Sequence, residues 1–171
     1  MQQEAHTDVA QKELFIKMII SAWDTQNTRL NLLLEKLSDE QLSAETAPGR
    51  NTGTYLLGHL IAVNDGLFPL LEWGERKYPE LDEVFLKNPD KSGLTTPSLP
   101  ELRAKWTDVV TALAQQIKNM TPEAWFEKHT AVSQEDFEKE LHRNKLNIII
   151  NRTNHQSYHL GQLNYLIRKS Q

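Results

Sequence analysis

Apolar residues recur every three or four positions in four long segments of the chain, and none of these segments alternates strictly between apolar and polar residues. This spacing places apolar side chains on one face of an α-helix. The first predicted helix runs from about Asp8 to Lys36, and the last runs from about Asn144 to Arg168, where Arg168 and Lys169 suit a helix C-terminus. The sequence therefore predicts an all-α protein.

The second predicted helix begins after Gly49 and continues toward Gly74. Its N-cap is expected to be one of three polar residues: Asn51, Thr52 or Thr54. Proline lacks a backbone N–H and its ring clashes with the preceding turn, so Pro69 is expected to kink this helix or to end it early.

The third predicted helix opens on Ser98-Leu-Pro-Glu101, a capping box with proline in the first turn. Long connections precede and follow this helix, at about 75–97 and 126–143. Connections of this length are typical of lids, binding loops or crossovers, and they permit a bundle that is not a simple up-and-down meander. We predict a four-helix bundle with long connections between helices two and three and between helices three and four.

Length and composition fit one domain spanning residues 1–171, because 39% of the residues are hydrophobic and 25% are charged. The net charge of −4 and the lack of a Lys/Arg block argue against nucleic acid as a partner. The chain shows no apolar run of membrane-spanning length and no signal-peptide pattern at its start. We expect no membrane partner and a cytoplasmic location.

The chain contains no cysteine. This excludes disulfides, thiolate metal sites, iron–sulfur clusters and cysteine nucleophiles. Any metal ion must therefore be bound by His, Asp, Glu or water.

A pair of histidines in the last predicted helix is the first candidate for chemistry. His155 and His159 are four residues apart, so they lie on one helix face about 40° apart at ~100° per residue. Leu163 and Leu166 share this face, so the imidazoles are expected to point into the bundle. Two interpretations remain open for the pair alone: metal ligands, or core histidines hydrogen-bonded to neighbouring polar groups.

A third histidine strengthens the metal interpretation. The segment Gly58-His59-Leu60 lies early in helix two, and His155-x3-His159-x-Gly161-Gln162-Leu163 lies in the last helix. Together these motifs resemble the DinB/YfiT-like superfamily over essentially the whole chain. The resemblance implies a four-helix bundle, commonly a homodimer, in which His59, His155 and His159 bind a divalent metal ion.

The resemblance also implies a class of chemistry. A three-histidine site favours Zn or Ni, with Fe or Mn as alternatives, and it leaves a coordination position open to water or substrate. The superfamily includes enzymes that transfer low-molecular-weight thiols and metal-dependent hydrolases, so the implied partner is a small-molecule substrate, with a thiol as one candidate. The alternative is a non-catalytic bundle in which the metal is structural or the protein is a binding module.

Two other metal motifs are disfavoured. In His155-Gln-Ser-Tyr-His159 a glutamine follows the first histidine, so the general base of an HExxH protease is missing. Ferritin-like di-iron bundles need Glu-x-x-His motifs, and no glutamate lies three residues before any of the six histidines.

Arg152 lies one turn before His155, near the same helix face. It is a weak candidate for binding an anionic substrate, and the competing interpretation, which we favour, is an ion pair with a carboxylate of another helix. The remaining histidines are not expected to be ligands: His6, His129 and His142. Trp23, Trp106 and Trp125 are expected in the core, and Trp73 and Tyr78 are expected to pack, with pocket lining as the alternative.

Overall fold

The structure, a computed structural model, describes residues 2–167, with side chains from residue 9 onward. The described residues form α-helices, short 3-10 turns and isolated β-bridges, and they contain no β-strand. The prediction of an all-α protein is confirmed. The α-helices are α1 (Gln2–Lys36), α2 (Asp39–Ser43), α3 (Gly53–Asp65), α4 (Leu67–Leu70), α5 (Leu81–Phe85), α6 (Leu99–Asn119), α7 (Gln134–Lys139) and α8 (Lys145–Leu163).

Side-chain caps explain where the long helices begin. The hydroxyl of Thr52 accepts a hydrogen bond from the Tyr55 N–H at 3.1 Å, so Thr52 is the N-cap of α3. Ser98 and Glu101 form the predicted capping box at α6, and Asn144 caps α8. These starts agree with the predicted boundaries, whereas α1 begins at Gln2, earlier than the predicted Asp8.

Helix ends were predicted less well. Helix α3 ends at Asp65 and the chain continues into α4, which contains Pro69, so the expected early end is confirmed. Helix α8 ends at Leu163, and the predicted end at Arg168 is wrong. A 3-10 turn, Asn164–Leu166, follows it, and the Leu166 carbonyl accepts a hydrogen bond from Gln41 Nε2 at 3.2 Å. Arg168 and Lys169 lie outside the described residues.

The four longest helices contribute to one cluster of buried apolar side chains. Helix α1 packs against α8, and α3 packs against α5, α6 and α8. Trp23, Trp106 and Trp125 are each 2% exposed, as expected for core residues. Helix α3 thus lies at the centre of the fold, where α5 and α8 can both reach it.

The long connection between α4 and α6 is anchored to α3 through a buried carboxylate. Asp65 is fully buried and accepts hydrogen bonds from Arg76 Nε at 3.2 Å and from the backbone N–H groups of Lys77 and Tyr78 at 2.8 and 3.0 Å. These bonds satisfy a charge that would otherwise be costly to bury. The anchored connection carries α5 onto α3.

Three buried or half-buried amides connect α1, α3 and α8. Asn64 Nδ2 donates to Gln156 Oε1 at 3.3 Å, and Gln156 Nε2 donates to Asn27 Oδ1 at 3.0 Å. Gln156 is 1% exposed, so its amide depends on these partners. Because Gln156 directly follows His155 in the chain, these hydrogen bonds fix the position of α8 next to His155.

Candidate metal centre

Three histidines from two helices converge at the contact between α3 and α8. The Nε2 atom of His155 lies 3.1 Å from Nε2 of His59 and 3.0 Å from Nε2 of His159. The ligand atoms of all three side chains lie within 4.8 Å of one another. The structure therefore brings together the histidines predicted from the sequence, although His59 and His155 are 96 positions apart.

The hydrogen bonds on the far side of two rings define their tautomers. His59 Nδ1 lies 3.0 Å from the carbonyl oxygen of Phe85, and a carbonyl can only accept, so Nδ1 carries the proton. His159 Nδ1 lies 2.6 Å from Gln162 Oε1. The Gln162 Nε2 donates to the Tyr158 hydroxyl at 3.4 Å, which orients that amide. In their neutral forms, both His59 and His159 then present an Nε2 lone pair to the centre.

The Nε2 lone pairs of His59 and His159 both point at Nε2 of His155, which has at most one N–H to share between these two acceptors. Protons alone therefore satisfy the three Nε2 atoms poorly, and a cation bound between them would satisfy all three. Nitrogen ligands at ~2.1 Å from a tetrahedral ion lie about 3.4 Å apart, so Nε2 of His155 needs to move away from Nε2 of His59 and of His159 by only about 0.3 to 0.4 Å. The donor set fits a divalent metal ion.

The surroundings favour the neutral imidazoles that metal binding requires. Burial lowers the pKa of His155 to about 4, helped by the charges of His159, His59 and Arg152. Burial also lowers the pKa of His159, although its hydrogen bond with Gln162 acts in the opposite direction. At neutral pH these rings are ready to bind a metal without first releasing a proton.

The triad has the composition of an open site. Within residues 9–167, no Asp or Glu carboxylate joins the three histidines as a further ligand. All three imidazoles are partly exposed rather than sealed in the core. Three protein ligands with room for a water or substrate are typical of catalytic zinc sites, whereas structural sites are closed by a fourth protein ligand.

Helix α5 reaches the triad through an unusually close approach to α3. Gly58 precedes His59, and a Cβ at this position would overlap the ring of Phe85, which is fully buried. Glycine thus allows the Phe85 backbone to come near enough for its carbonyl to accept from His59. Sequence reasoning identified neither Phe85 nor Gln162 as a partner of the triad, although Gln162, three residues after His159, belongs to the quoted motif.

Arg152 lies beside the triad without the carboxylate partner that we favoured from the sequence. The structure gives its side chain no hydrogen bond or ion pair with any described residue, and its Nε atom has no accessible surface. The ion-pair hypothesis is therefore wrong for residues 9–167. The neighbours of Arg152 on α8 explain this result. His155 contacts His59 and Gln156 contacts Asn64, so the groups that α3 presents on either side of Arg152 are an imidazole and an amide and not carboxylates.

The remaining candidates lie away from the triad. His129 is buried and its Nδ1 accepts from the Ala131 N–H at 3.2 Å, so it anchors a loop. His142 is exposed, and the side chain of His6 lies outside the described residues. Trp73 packs edge-to-face on Trp125 with ring centroids 6.2 Å apart, and the Tyr78 hydroxyl donates to Asp108 at 2.8 Å. Both aromatic residues pack, as expected.

Comparison with known proteins adds a family to this geometry. Among the described helices, none combines the length and the apolar character needed to cross a bilayer. No curated protein matches the chain. The family profile described as the DinB superfamily matches residues 22–163, a span that includes His59, His155 and His159. The chain belongs to the DinB superfamily.

Proposed function

We propose that the protein is a metal-dependent enzyme that uses His59, His155 and His159 to hold a divalent ion and acts on a small molecule, as a thiol S-transferase or a hydrolase. The observation that carries this proposal is the convergence of three Nε2 atoms with no carboxylate as a further ligand among the described residues. Zinc or nickel suits an all-imidazole donor set best, with iron or manganese as alternatives.

The side chains present indicate which part of the chemistry the metal ion would supply and which part the protein would supply. A divalent ion supplies Lewis acidity, which lowers the pKa of a water or thiol and polarises a carbonyl. The chain itself has no cysteine to serve as a soft nucleophile, so the nucleophile must come from the solvent or from a substrate thiol. The Phe85 carbonyl and Gln162 hold the Nδ1 protons of His59 and His159, which leaves both Nε2 lone pairs free to bind an ion between the three rings.

The rival function is a structural metal that joins α3 to α8. This function also explains three histidines on two helices, but a structural ion is usually closed by a fourth protein ligand, and no carboxylate among the described residues joins the triad. Small-molecule chemistry is favoured over nucleic acid binding by the net charge of −4. The cytoplasmic location stays a prediction from the sequence.

The decisive experiment is elemental analysis of protein purified without a histidine tag or added metal. We expect about one equivalent of a divalent metal in the native protein and none in the His155→Ala/His159→Ala variant. A His142→Ala variant is the matched control, because His142 is an exposed histidine outside the triad. Absence of metal from the native protein, after growth in medium supplemented with each of zinc, nickel, iron and manganese, would overturn the proposal.

Catalysis is then separated from a structural role by a thiol-transfer assay with an electrophilic substrate, together with an ester hydrolysis assay. Metal-dependent turnover in either assay supports the enzyme. The structural rival would be favoured if the native protein bound metal but showed no turnover in either assay, and if the His155→Ala/His159→Ala variant were less stable.

We also propose that the protein forms a homodimer through the exposed face of α1. Leu14, Phe15 and Met18 are 58%, 51% and 61% exposed, and neighbouring positions three or four apart form a continuous apolar patch. Leu32, eighteen residues after Leu14, has the same orientation on α1 and is also exposed. An exposed apolar patch on one helix suits pairing with the same patch on a second copy.

Light scattering during size-exclusion chromatography tests the dimer. We expect native protein at twice the chain mass and a Leu14→Glu/Met18→Glu variant at the chain mass. Leu94→Glu is the control, since Leu94 is 42% exposed and lies in the connection between α5 and α6. A monomeric native protein, or a dimer unaffected by both α1 substitutions, would contradict this interface.

A further inference from the structure

Arg152 is a half-buried cation that has no counter-ion among the residues whose side chains the structure describes. Its Nε atom has no accessible surface and no hydrogen-bond partner among the described residues. Burial lowers the pKa of the guanidinium, and no nearby carboxylate opposes this effect. Buried polar groups are almost always paired, so an unpaired guanidinium calls for an explanation.

Other arginines of the chain show how the fold usually treats such a group. Arg76, with 19% of its side chain exposed, binds Asp65 and Asp82. Arg103, with 29% exposed, donates to the carbonyl oxygens of Leu34 and Leu37 and binds Asp39. Within residues 9–167, Arg152 has neither kind of partner.

The position of Arg152 connects it to the triad. Along α8 it lies three residues before His155 and about 60° around the helix at ~100° per residue, close to the direction of His159. The helix face between His155 and Gln156 is directed at α3, because these two residues contact His59 and Asn64. Arg152 therefore lies over α3 on the same side as the three imidazoles, and its charge reaches His155.

The charges at this location do not cancel. Three neutral imidazoles add nothing to offset a divalent cation, and within residues 9–167 no carboxylate joins the triad. Arg152 adds a further positive charge in a partly desolvated setting, where electrostatic interactions are stronger than in water. The missing negative charge has to come from a molecule that binds there.

We propose that Arg152 is a binding residue for an oxyanion of the substrate, a carboxylate or a phosphate, placed beside the metal ion. This inference rests on the proposed function, since it defines the substrate class of the same site. Guanidinium N–H groups match the geometry of carboxylate and phosphate oxygens and form paired, charge-assisted hydrogen bonds with them. The cost of leaving Arg152 unpaired in the free protein is recovered when the anion binds.

The test follows the Arg152 Nε–H resonance in a ¹⁵N correlation spectrum of the intact protein during titration with acetate and, separately, with inorganic phosphate. We expect saturable shifts with at least one ion. The Arg152→Lys variant should bind that ion more weakly, and Arg152→Gln and Arg152→Met should lose roughly tenfold to a hundredfold in affinity by calorimetry. The stronger of the two ions identifies the class as carboxylate or phosphate.

Thermal unfolding separates a binding residue from a structural one. Arg152→Met keeps an apolar stem and removes an unpaired charge, so its unfolding midpoint should equal or exceed that of the native protein. The matched control, Arg103→Met, removes several hydrogen bonds. It should unfold at lower temperature while leaving anion affinity unchanged.

Two results would overturn the inference: no saturable shift with either ion, or a loss of stability in Arg152→Met as large as that in Arg103→Met. Metal content measured on the same samples keeps the two proposals apart. Normal metal content without anion binding rejects the role of Arg152 and leaves the metal site standing. Anion binding that depends on Arg152, in native protein that contains no metal after growth in each supplemented medium, rejects the metal proposal and leaves the role of Arg152 standing.

Discussion

The Nε2 atoms of His59 and His155 lie 3.1 Å apart across the contact between α3 and α8. Each atom depends on a different helix for its position, and each helix is fixed by buried groups that are not ligands. Phe85 packs against Gly58 on one side, and Gln156 bonds to Asn64 and Asn27 on the other. Metal binding should therefore respond to substitutions that never touch the ion.

Gln162 is the simplest of these positions to test. Its Oε1 accepts from His159 Nδ1 at 2.6 Å, which orients the ring and makes Nε2 more basic. Gln162→Leu removes the acceptor while keeping the side-chain volume similar, and we expect metal affinity to fall by about 10- to 100-fold. Competition with a chromophoric chelator measures this change.

Gln115→Leu is the matched control, since the Gln115 amide bonds to Asn119 on the exposed face of α6. This control should retain native affinity. Equal affinities in Gln162→Leu and the native protein would show that the hydrogen bond does not orient the ligand.

The stability of the metal-free protein should depend on pH through the triad. The folded-state pKa of His155 is about 4, below the ordinary value of 6.5. Between these values the unfolded chain binds a proton that the folded chain does not, so the free energy of unfolding falls as pH falls from 6.5 toward 4. The loss is on the order of 2–3 kcal/mol at most, because His155 is only partly buried.

Urea unfolding at a series of pH values in the presence of a chelator measures this dependence. His155→Gln removes the titrating group and should flatten the slope between pH 6.5 and 4. The lowered pKa of His159 acts in the same direction, so a smaller slope should persist. A His155→Gln variant with the native slope would contradict this assignment.

The buried amides should stabilise the fold at the base of the site. Gln156→Leu leaves Asn64 and Asn27 without their bonds to Gln156, and each unpaired buried polar group costs about 1–3 kcal/mol. We expect a stability loss of about 2–4 kcal/mol by urea unfolding. Gln134→Leu, which removes an exposed bond within α7, should change stability by less than about 0.5 kcal/mol. Similar losses in both variants would show that the amide chain has no special role.

Local patterns in the sequence were enough to predict the starts of α3, α6 and α8 and the pairing of His155 with His159 on one helix face. Ser98 caps α6 as predicted, Thr52 is one of the three predicted candidates for the cap of α3, and Asn144 caps α8 at its predicted start, because a cap needs only a few neighbouring residues. His155 and His159 share a helix face because of their spacing. Placing His59 opposite them depended on the resemblance to a known superfamily, since no local pattern specifies a contact between residues 96 positions apart.

What the sequence did not predict depends on contacts between distant segments. The end of α8 at Leu163 accompanies a hydrogen bond from Gln41 to the Leu166 carbonyl, which no pattern within α8 reveals. The Phe85 carbonyl is a backbone group and carries no side-chain signal at all. The lack of a partner for Arg152 could be seen only when the groups facing it on α3 were known.

Two glycines near the histidines should behave in opposite ways when replaced by alanine. At Gly58 a Cβ would overlap the buried Phe85 ring, which cannot swing away. Gly58→Ala should therefore cost about 1–3 kcal/mol of stability and, by displacing the Phe85 carbonyl from His59, weaken metal binding. At Gly161 a Cβ would meet no atom within 4 Å. Gly161→Ala, in α8 between His159 and Gln162, should gain about 0.5–1 kcal/mol from better helix propensity and leave metal affinity unchanged.

Urea unfolding and chelator competition on both variants test the pair together. The comparison isolates the approach of α5 to α3, because both substitutions add a single methyl group to a helix that carries the triad. If Gly58→Ala lowered stability but kept native metal affinity, Phe85 would pack beside the site without orienting His59. If both variants lost metal affinity equally, the loss would come from adding a methyl group to α3 or α8 and not from the contact between Gly58 and Phe85. Loss of affinity in Gly58→Ala alone would show that the long connection before α6 helps to build the metal centre through one backbone carbonyl.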